Sequence, residues 1–175
     1  MKKNVLCSLL VGVALAIPFA SSANLIQNGG FEIPVTSPPY QYRTGTQIDG
    51  WVITTSHKGV AQFDSTYRPV GAGNYSIQIE SGIGNGSPDS ISQTVNSLSA
   101  GQRYLVSFLL SAYSSSGGAN MNVSIDGVTQ NYTSFSQSYT SHSFDFIATG
   151  SSATLVFQNV GNYAVSYPQI DGVSL

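Results

Sequence analysis

Charge is scarce in this sequence of 175 residues: Asp, Glu, Lys and Arg together make up 8% of it. Basic residues number six, and two of them, Lys2 and Lys3, stand at the extreme N-terminus. The other four, Arg43, Lys58, Arg68 and Arg103, are isolated from one another. That scatter excludes the clustered lysine and arginine contacts on which nucleic-acid binding depends. Cysteine occurs once, as Cys7 in the N-terminal apolar stretch, so the remainder of the chain has no disulfide framework and no thiolate nucleophile. The apolar stretch itself, VLCSLLVGVALAI, is shorter than the roughly 20 residues that a spanning helix needs. Beyond it, no segment keeps the i, i+3, i+4, i+7 spacing of an amphipathic helix.

What is present at the N-terminus is a secretory signal. Lys2 and Lys3 precede the apolar stretch, and the small residues SSA at 21–23 follow it, so cleavage is expected after Ala23. Cys7 lies too early for a lipid attachment site. The mature chain is then 24–175, secreted to the extracellular space or the periplasm, with no membrane insertion once the signal is removed. Four bases remain against eight acids, a net charge of −4. With no repeat and no change of composition along it, 24–175 is expected to fold as a single domain, long enough to form its own core.

Period-two alternation recurs throughout that domain, so the fold class is all-β. Strands are expected at 74–80, 89–95, 120–126 and 142–148, each with one apolar face. Two further segments, 103–113 and 152–160, are apolar on both parities near their middles, as central strands of a stacked double sheet would be. Between these lie segments rich in Gly, Pro, Asn and Ser, at 36–45, 67–73, 81–89, 99–102 and 114–119, which read as turns and loops. Strands spaced by about eight to twelve residues favour an antiparallel β-sandwich or jelly roll.

Asp-Gly occurs at 49–50, 126–127 and 171–172. The middle pair is flanked by strand-like residues on both sides and reads as a type I′ hairpin. Too little chain follows Asp171 to return as a strand, so this acid is placed within or beside a terminal strand. The single Trp51 is expected in the core. The better candidates for stacking on a sugar are tyrosines in loops, Tyr40 and Tyr42 with Arg43 in PPYQYR, and Tyr67 beside Arg68. A second possible site is a groove of amides and hydroxyls, if Asn120, Asn122 and Ser124 share a face with Ser76, Gln78 and Glu80 or with Ser90, Ser92 and Thr94. Solvated strand faces have the same appearance in sequence. No G-x-S-x-G elbow occurs, and His57 and His142 have no triad or zinc spacing. Most of the acids fall in turns, where they do not form the facing pair that glycoside hydrolysis requires. The chain is therefore read as not an enzyme.

The segments NLIQNGGFE at the mature N-terminus, GW at 50–51, SISQTV followed by LSAGQRYLVSF, and the closing IDGVSL together resemble the secreted galactose-binding-like β-sandwich family. That family is typified by plant cell-wall proteins of unassigned function and their bacterial relatives, and the pattern is also similar to calcium-containing jelly-roll carbohydrate-binding modules. The resemblance runs over 24–175 and implies a galactose-binding-domain-like jelly roll. It also implies a structural Ca²⁺ joining the first strand to the last, with Glu32 and Asp171 as charged ligands and carbonyls near Gly30 and Asn74 as neutral ones. In a strand, Gly30 and Glu32 would share one face while Phe31 pointed to the other. The function expected is binding of a polysaccharide or cell-wall glycan outside the cell. The alternatives are an extracellular structural or matrix protein with no glycan ligand and, less favoured, a polysaccharide hydrolase.

Overall fold

The computed structural model describes residues 23–80, 87–162 and 165–175, so the signal expected at 1–23 lies almost wholly outside the described residues. Among those residues eleven strands form two antiparallel sheets and no helix is found. The strands are β1 (Tyr40–Arg43), β2 (Val52–Thr54), β3 (Val60–Asp64), β4 (Tyr75–Ile79), β5 (Ser90–Asn96), β6 (Arg103–Ala112), β7 (Ala119–Ile125), β8 (Val128–Ser134), β9 (Thr140–Ile147), β10 (Ser152–Asn159) and β11 (Pro168–Ser174). One sheet has the order β1-β3-β4-β11-β6-β9 and the other β2-β5-β10-β7-β8.

The four alternating segments and the two that are apolar on both parities form strands close to the expected bounds, because the sandwich buries at least one apolar parity of each. Ile77, Ile79, Ile170, Leu110 and Phe108 of the first sheet meet Ile91, Leu155, Phe157, Met121 and Val123 of the second in one core. Trp51 is 1% exposed, packed 5.3 Å from Phe31 and 6.2 Å from Phe157 between ring centroids. Asp126 and Gly127, at φ +49° and +80°, make the tight turn between β7 and β8 that the sequence predicts.

Several expectations are corrected. Residues 24–34 do not form a first strand. They run beside the end of β11, with Leu25 N–H donating to Leu175 O at 2.9 Å and Val173 N–H to Gly29 O at 2.9 Å, and then turn sharply. The reason is local: Asn28 and Phe31 both adopt positive φ, and the Asn28 side chain accepts from Ile33 N–H while donating to the carbonyls of Ile33 and Asp49. Phe31 still points inward and Glu32 outward, but a turn separates them in place of strand alternation. The segment 36–45 is not all loop either, since it contains β1. In β4 both faces are buried, because loops cover the outer one. On β6 the second apolar parity is not buried at its start, and Leu105 is 53% exposed.

Of the two polar-face pairings the sequence allows, one is found and the other is not. By register Asn120, Asn122 and Ser124 lie with Ser90, Ser92 and Thr94 on the outer face of the β2-β5-β10-β7-β8 sheet, whereas Ser76, Gln78 and Glu80 lie on the outer face of the other sheet. The body of the sandwich stands between them, so the two sets cannot line one groove.

Candidate functional site

Tyr40 and Tyr42 alternate outward along β1, at the edge of the six-stranded sheet, and their rings meet edge to face at 5.3 Å. Tyr67 arrives from the loop after β3 and packs 4.7 Å from Tyr40, with Phe63 of β3 behind it at 6.4 Å. That loop is shaped by Asp64, whose Oδ1 accepts from Thr66 N–H, the Thr66 hydroxyl and Tyr67 N–H. The hydroxyl bond from Thr66 is the main reason the Asp64 carboxyl is held below its ordinary range. Tyr42 and Tyr67 are 39% and 46% exposed, which leaves ring area open to a ligand. Thus three of the four residues expected at a sugar site come together. Arg43 does not join them: neighbouring positions of a strand face opposite ways, so it points behind β1, 9% exposed, and its Nε donates to Gln62 Oε1 at 3.0 Å.

Sequence reasoning missed how far this cluster extends. The Arg68 guanidinium lies 3.6 Å from the centre of the Tyr113 ring and 5.9 Å from that of Tyr67, and its Nη1 donates to Tyr113 O at 3.2 Å. Tyr113 in turn meets Tyr167 at 5.5 Å. Below the rings runs a chain of hydrogen bonds on the outer face of the sheet. The Tyr40 hydroxyl and Gln78 Nε2 both donate to Glu80 Oε1, Gln169 Nε2 donates to Gln78 Oε1, and the Ser111 hydroxyl donates to Gln169 Oε1. Parity along β4 and β6 makes Gln78, Glu80 and Ser111 outward positions, but only the sheet order places them in one line.

Burial raises the Glu80 carboxyl above its ordinary value, with the Gln78 bond and Lys58 opposing the rise. A carboxyl raised by folding favours the folded state fully below its unfolded value and loses that contribution as pH rises through its folded value. Glu80→Gln keeps an acceptor for Tyr40 and removes the buried charge. It is therefore expected to raise the melting temperature by a few degrees at pH 7 and to leave it unchanged at pH 4, as thermal denaturation at both pH values would show. Burial likewise lifts the Tyr139 phenol to about 12, with the neighbouring Ser76 and Ser111 hydroxyls opposing the rise.

On the same outer face, beside Ser76, Glu32 and Asp171 converge. Glu32 Oε1 and Asp171 Oδ1 lie 3.8 and 3.9 Å from the point where a Cβ on Gly30 would stand. Glu32 accepts from Asn74 N–H at 2.8 Å, Tyr75 N–H at 3.2 Å and Asn74 Nδ2 at 3.0 Å. Gly73 is required beside it, since φ is +63° and a Cβ would come 2.2 Å from Oε1. Asp171 is fully buried, its Oδ2 accepting from Gly71 N–H, Ala72 N–H and the Ser76 hydroxyl, and its Oδ1 from Gly172 N–H. Burial pushes its carboxyl up to about 6 against these bonds. Two carboxylates beside a glycine backbone supply hard oxygen donors of the kind Ca²⁺ takes. The groups that Asn74 turns toward Glu32 are N–H donors that orient the carboxylate. Among the described residues no group of three or more His, Cys, Asp or Glu gathers at one point, so carbonyl oxygens would have to complete any such site.

Two antiparallel sheets, termini joined side by side and an outer face rimmed with aromatic rings define an antiparallel jelly-roll β-sandwich of the galactose-binding-like type. Solved structures with this fold include a family 61 carbohydrate-binding module in complex with β-1,4-galactotriose, 17% identical, with a TM-score of 0.55 and coverage of 87% of this chain and 97% of that one. A family 16 carbohydrate-binding module is 18% identical, with a TM-score of 0.58 and coverage of 86% and 98%. A family 22 xylan-binding domain is 10% identical, with a TM-score of 0.52 and coverage of 79% and 95%. The chain belongs to the family described as a protein of unknown function, DUF642, whose model matches residues 24–175. No curated protein matches it in sequence.

Proposed function

We propose that the mature chain is a non-catalytic glycan-binding module that works outside the cell after removal of residues 1–23. The observation that carries this reading is the exposed tyrosine cluster of Tyr40, Tyr42 and Tyr67, set over a polar, hydrogen-bonded sheet face. Flat aromatic faces stack on the C–H surfaces of sugars while polar groups at their edges take the hydroxyls. The likeness of fold to modules solved with galactotriose or named for xylan supports the same reading. Chemistry is not what the acids are arranged for: Asp64 and Asp89 hold turns through backbone N–H groups, and Glu80 lies under Tyr40. A structural Ca²⁺ held by Glu32 and Asp171 beside Gly30 belongs to the proposal, and it would fasten the first residues of the domain to the last strand.

Affinity electrophoresis of the mature chain in gels containing soluble polysaccharides tests the binding. Retardation by at least one glycan is expected, and Tyr67→Ala or Tyr42→Ala should weaken it by about tenfold, the loss of one good aromatic contact. If no glycan in a broad panel retards the chain and it self-associates instead, it is a structural protein of the matrix.

A further inference from the structure

The chain carries few cations, and their placement is uneven. Arg103 is paired with Asp145, and Arg43 is buried behind β1 against Gln62. The other two of the mature chain both lie on rings of the tyrosine cluster. Lys58 Nζ stands 5.4 Å from the centre of the Tyr42 ring, and the Arg68 guanidinium lies between Tyr67 and Tyr113. They mark the two ends of the run Tyr42, Tyr40, Tyr67.

The acids of the same region are turned the other way. Glu80 is buried below Tyr40 and accepts from Tyr40 and Gln78, and Lys58 attracts it from above. Asp64 spends one oxygen on Thr66 and Tyr67. The positive groups are thus held at the level of the rings, where a stacked ligand would lie, and the negative groups are held in the floor and the loop.

Resting on the glycan-binding reading, we propose that this surface takes an acidic polysaccharide, a chain of uronic acid residues whose carboxylates meet Lys58 and Arg68 while its sugar rings stack on the tyrosines. A guanidinium has five N–H donors, and among the described residues Arg68 donates one to Tyr113 O. Stacking on Tyr113 fixes the plane of that guanidinium in advance, which reduces the ordering cost of a directed contact. Tyr42, Tyr40 and Tyr67 stand between the two cations in the run of ring contacts. Binding of this kind places positive charge where it is needed on a molecule whose net charge is negative, and screening by salt should weaken it.

The test compares short oligomers of galacturonic acid with the same oligomers fully methyl-esterified, and with a neutral β-1,4-galactan, by titration calorimetry of the mature chain. The acid form is expected to bind about tenfold more tightly than the ester at low salt. Most of that advantage should vanish at roughly 1 M salt, where the screening length falls to about 3 Å. The double variant Lys58→Gln, Arg68→Gln should bind acid and ester alike, at the affinity of the ester for wild type. Arg68→Lys, which keeps the charge but loses the planar stack, should retain much of the preference and so separates charge from loop packing. Equal binding of acid and ester by wild type would overturn the proposal and leave glycan binding standing. An equal loss for both ligands in the double variant would overturn it too, by assigning the two cations to holding the loops. Binding of none of the three, together with no retardation on the neutral panel, would remove the glycan-binding reading itself.

Discussion

Asp171→Ala lowers the melting temperature of the domain over 24–175 by roughly 10 °C, corresponding to about 3–5 kcal/mol for a chain of this length. The side chain is fully buried and accepts from four donors, the N–H groups of Gly71, Ala72 and Gly172 and the hydroxyl of Ser76. Truncation takes the acceptor from Ala72 N–H, Gly172 N–H and the Ser76 hydroxyl, while Gly71 N–H keeps Ser76 Oγ at 3.1 Å, and each buried orphan costs about 1–3 kcal/mol. The relief of removing a desolvated carboxylate, one whose carboxyl burial has already pushed up to about 6, offsets only part of the sum. Asp171→Asn is a sharper control, since an amide nitrogen cannot accept and the loss should persist with the volume kept. The same variants test the metal. Calcium should raise the melting temperature of wild type relative to chelator, and the increment should disappear in Asp171→Ala and in Glu32→Gln. Identical wild-type curves with calcium and with chelator would remove the ion from the proposal, and the hydrogen bonds of 24–29 to β11 would alone hold the termini together.

Trp51→Ala is expected to cost a comparable amount, about 3–5 kcal/mol, measured by denaturant unfolding. The indole is 1% exposed, fills the space between Phe31 and Phe157, and donates to Asn28 O at 3.1 Å. That carbonyl also accepts from Phe31 N–H, so the indole braces the turn that delivers Glu32 to Asn74. Trp51→Phe keeps most of the ring area and loses the bond, and should cost roughly a third as much. Because the residue is in the core and the candidate ligand surface is on the far side of a sheet, glycan binding should leave the wavelength of its emission maximum unchanged. A shift on binding would place the ligand, or a rearrangement, near the turn at 28–31.

Much of the architecture was legible because it is local. Apolar residues on both parities of 103–113 and 152–160 mark central strands, and β6 and β10 are interior strands of their sheets. Asp126-Gly127 specifies its own hairpin through backbone preferences. The short strands β1, β2 and β3 were harder, since three to five residues carry little periodicity. PPYQYR has the composition of a loop, although Tyr40 to Arg43 pairs with β3. Arg43 shows the cost of that reading: in a loop it could stand beside its tyrosine neighbours, whereas on a strand it must face away from them.

The sequence by itself determined an all-β domain over 24–175, the inward parity of its longer strands and a buried Trp51, since each follows from the chemistry of residues near one another in the chain. It also pointed to Tyr40, Tyr42, Arg43 and Tyr67 as candidates for ligand contact, of which Tyr42 and Tyr67 are exposed. Only the tertiary structure decided that Tyr67 packs on Tyr40, that Arg68 crosses to Tyr113, and that Ser76, Gln78 and Glu80 lie on a different sheet from Asn120 and Asn122. Those arrangements depend on which strands become neighbours. Strand order is settled by the closure of loops and the burial of a whole core, and no short stretch of the sequence contains that information.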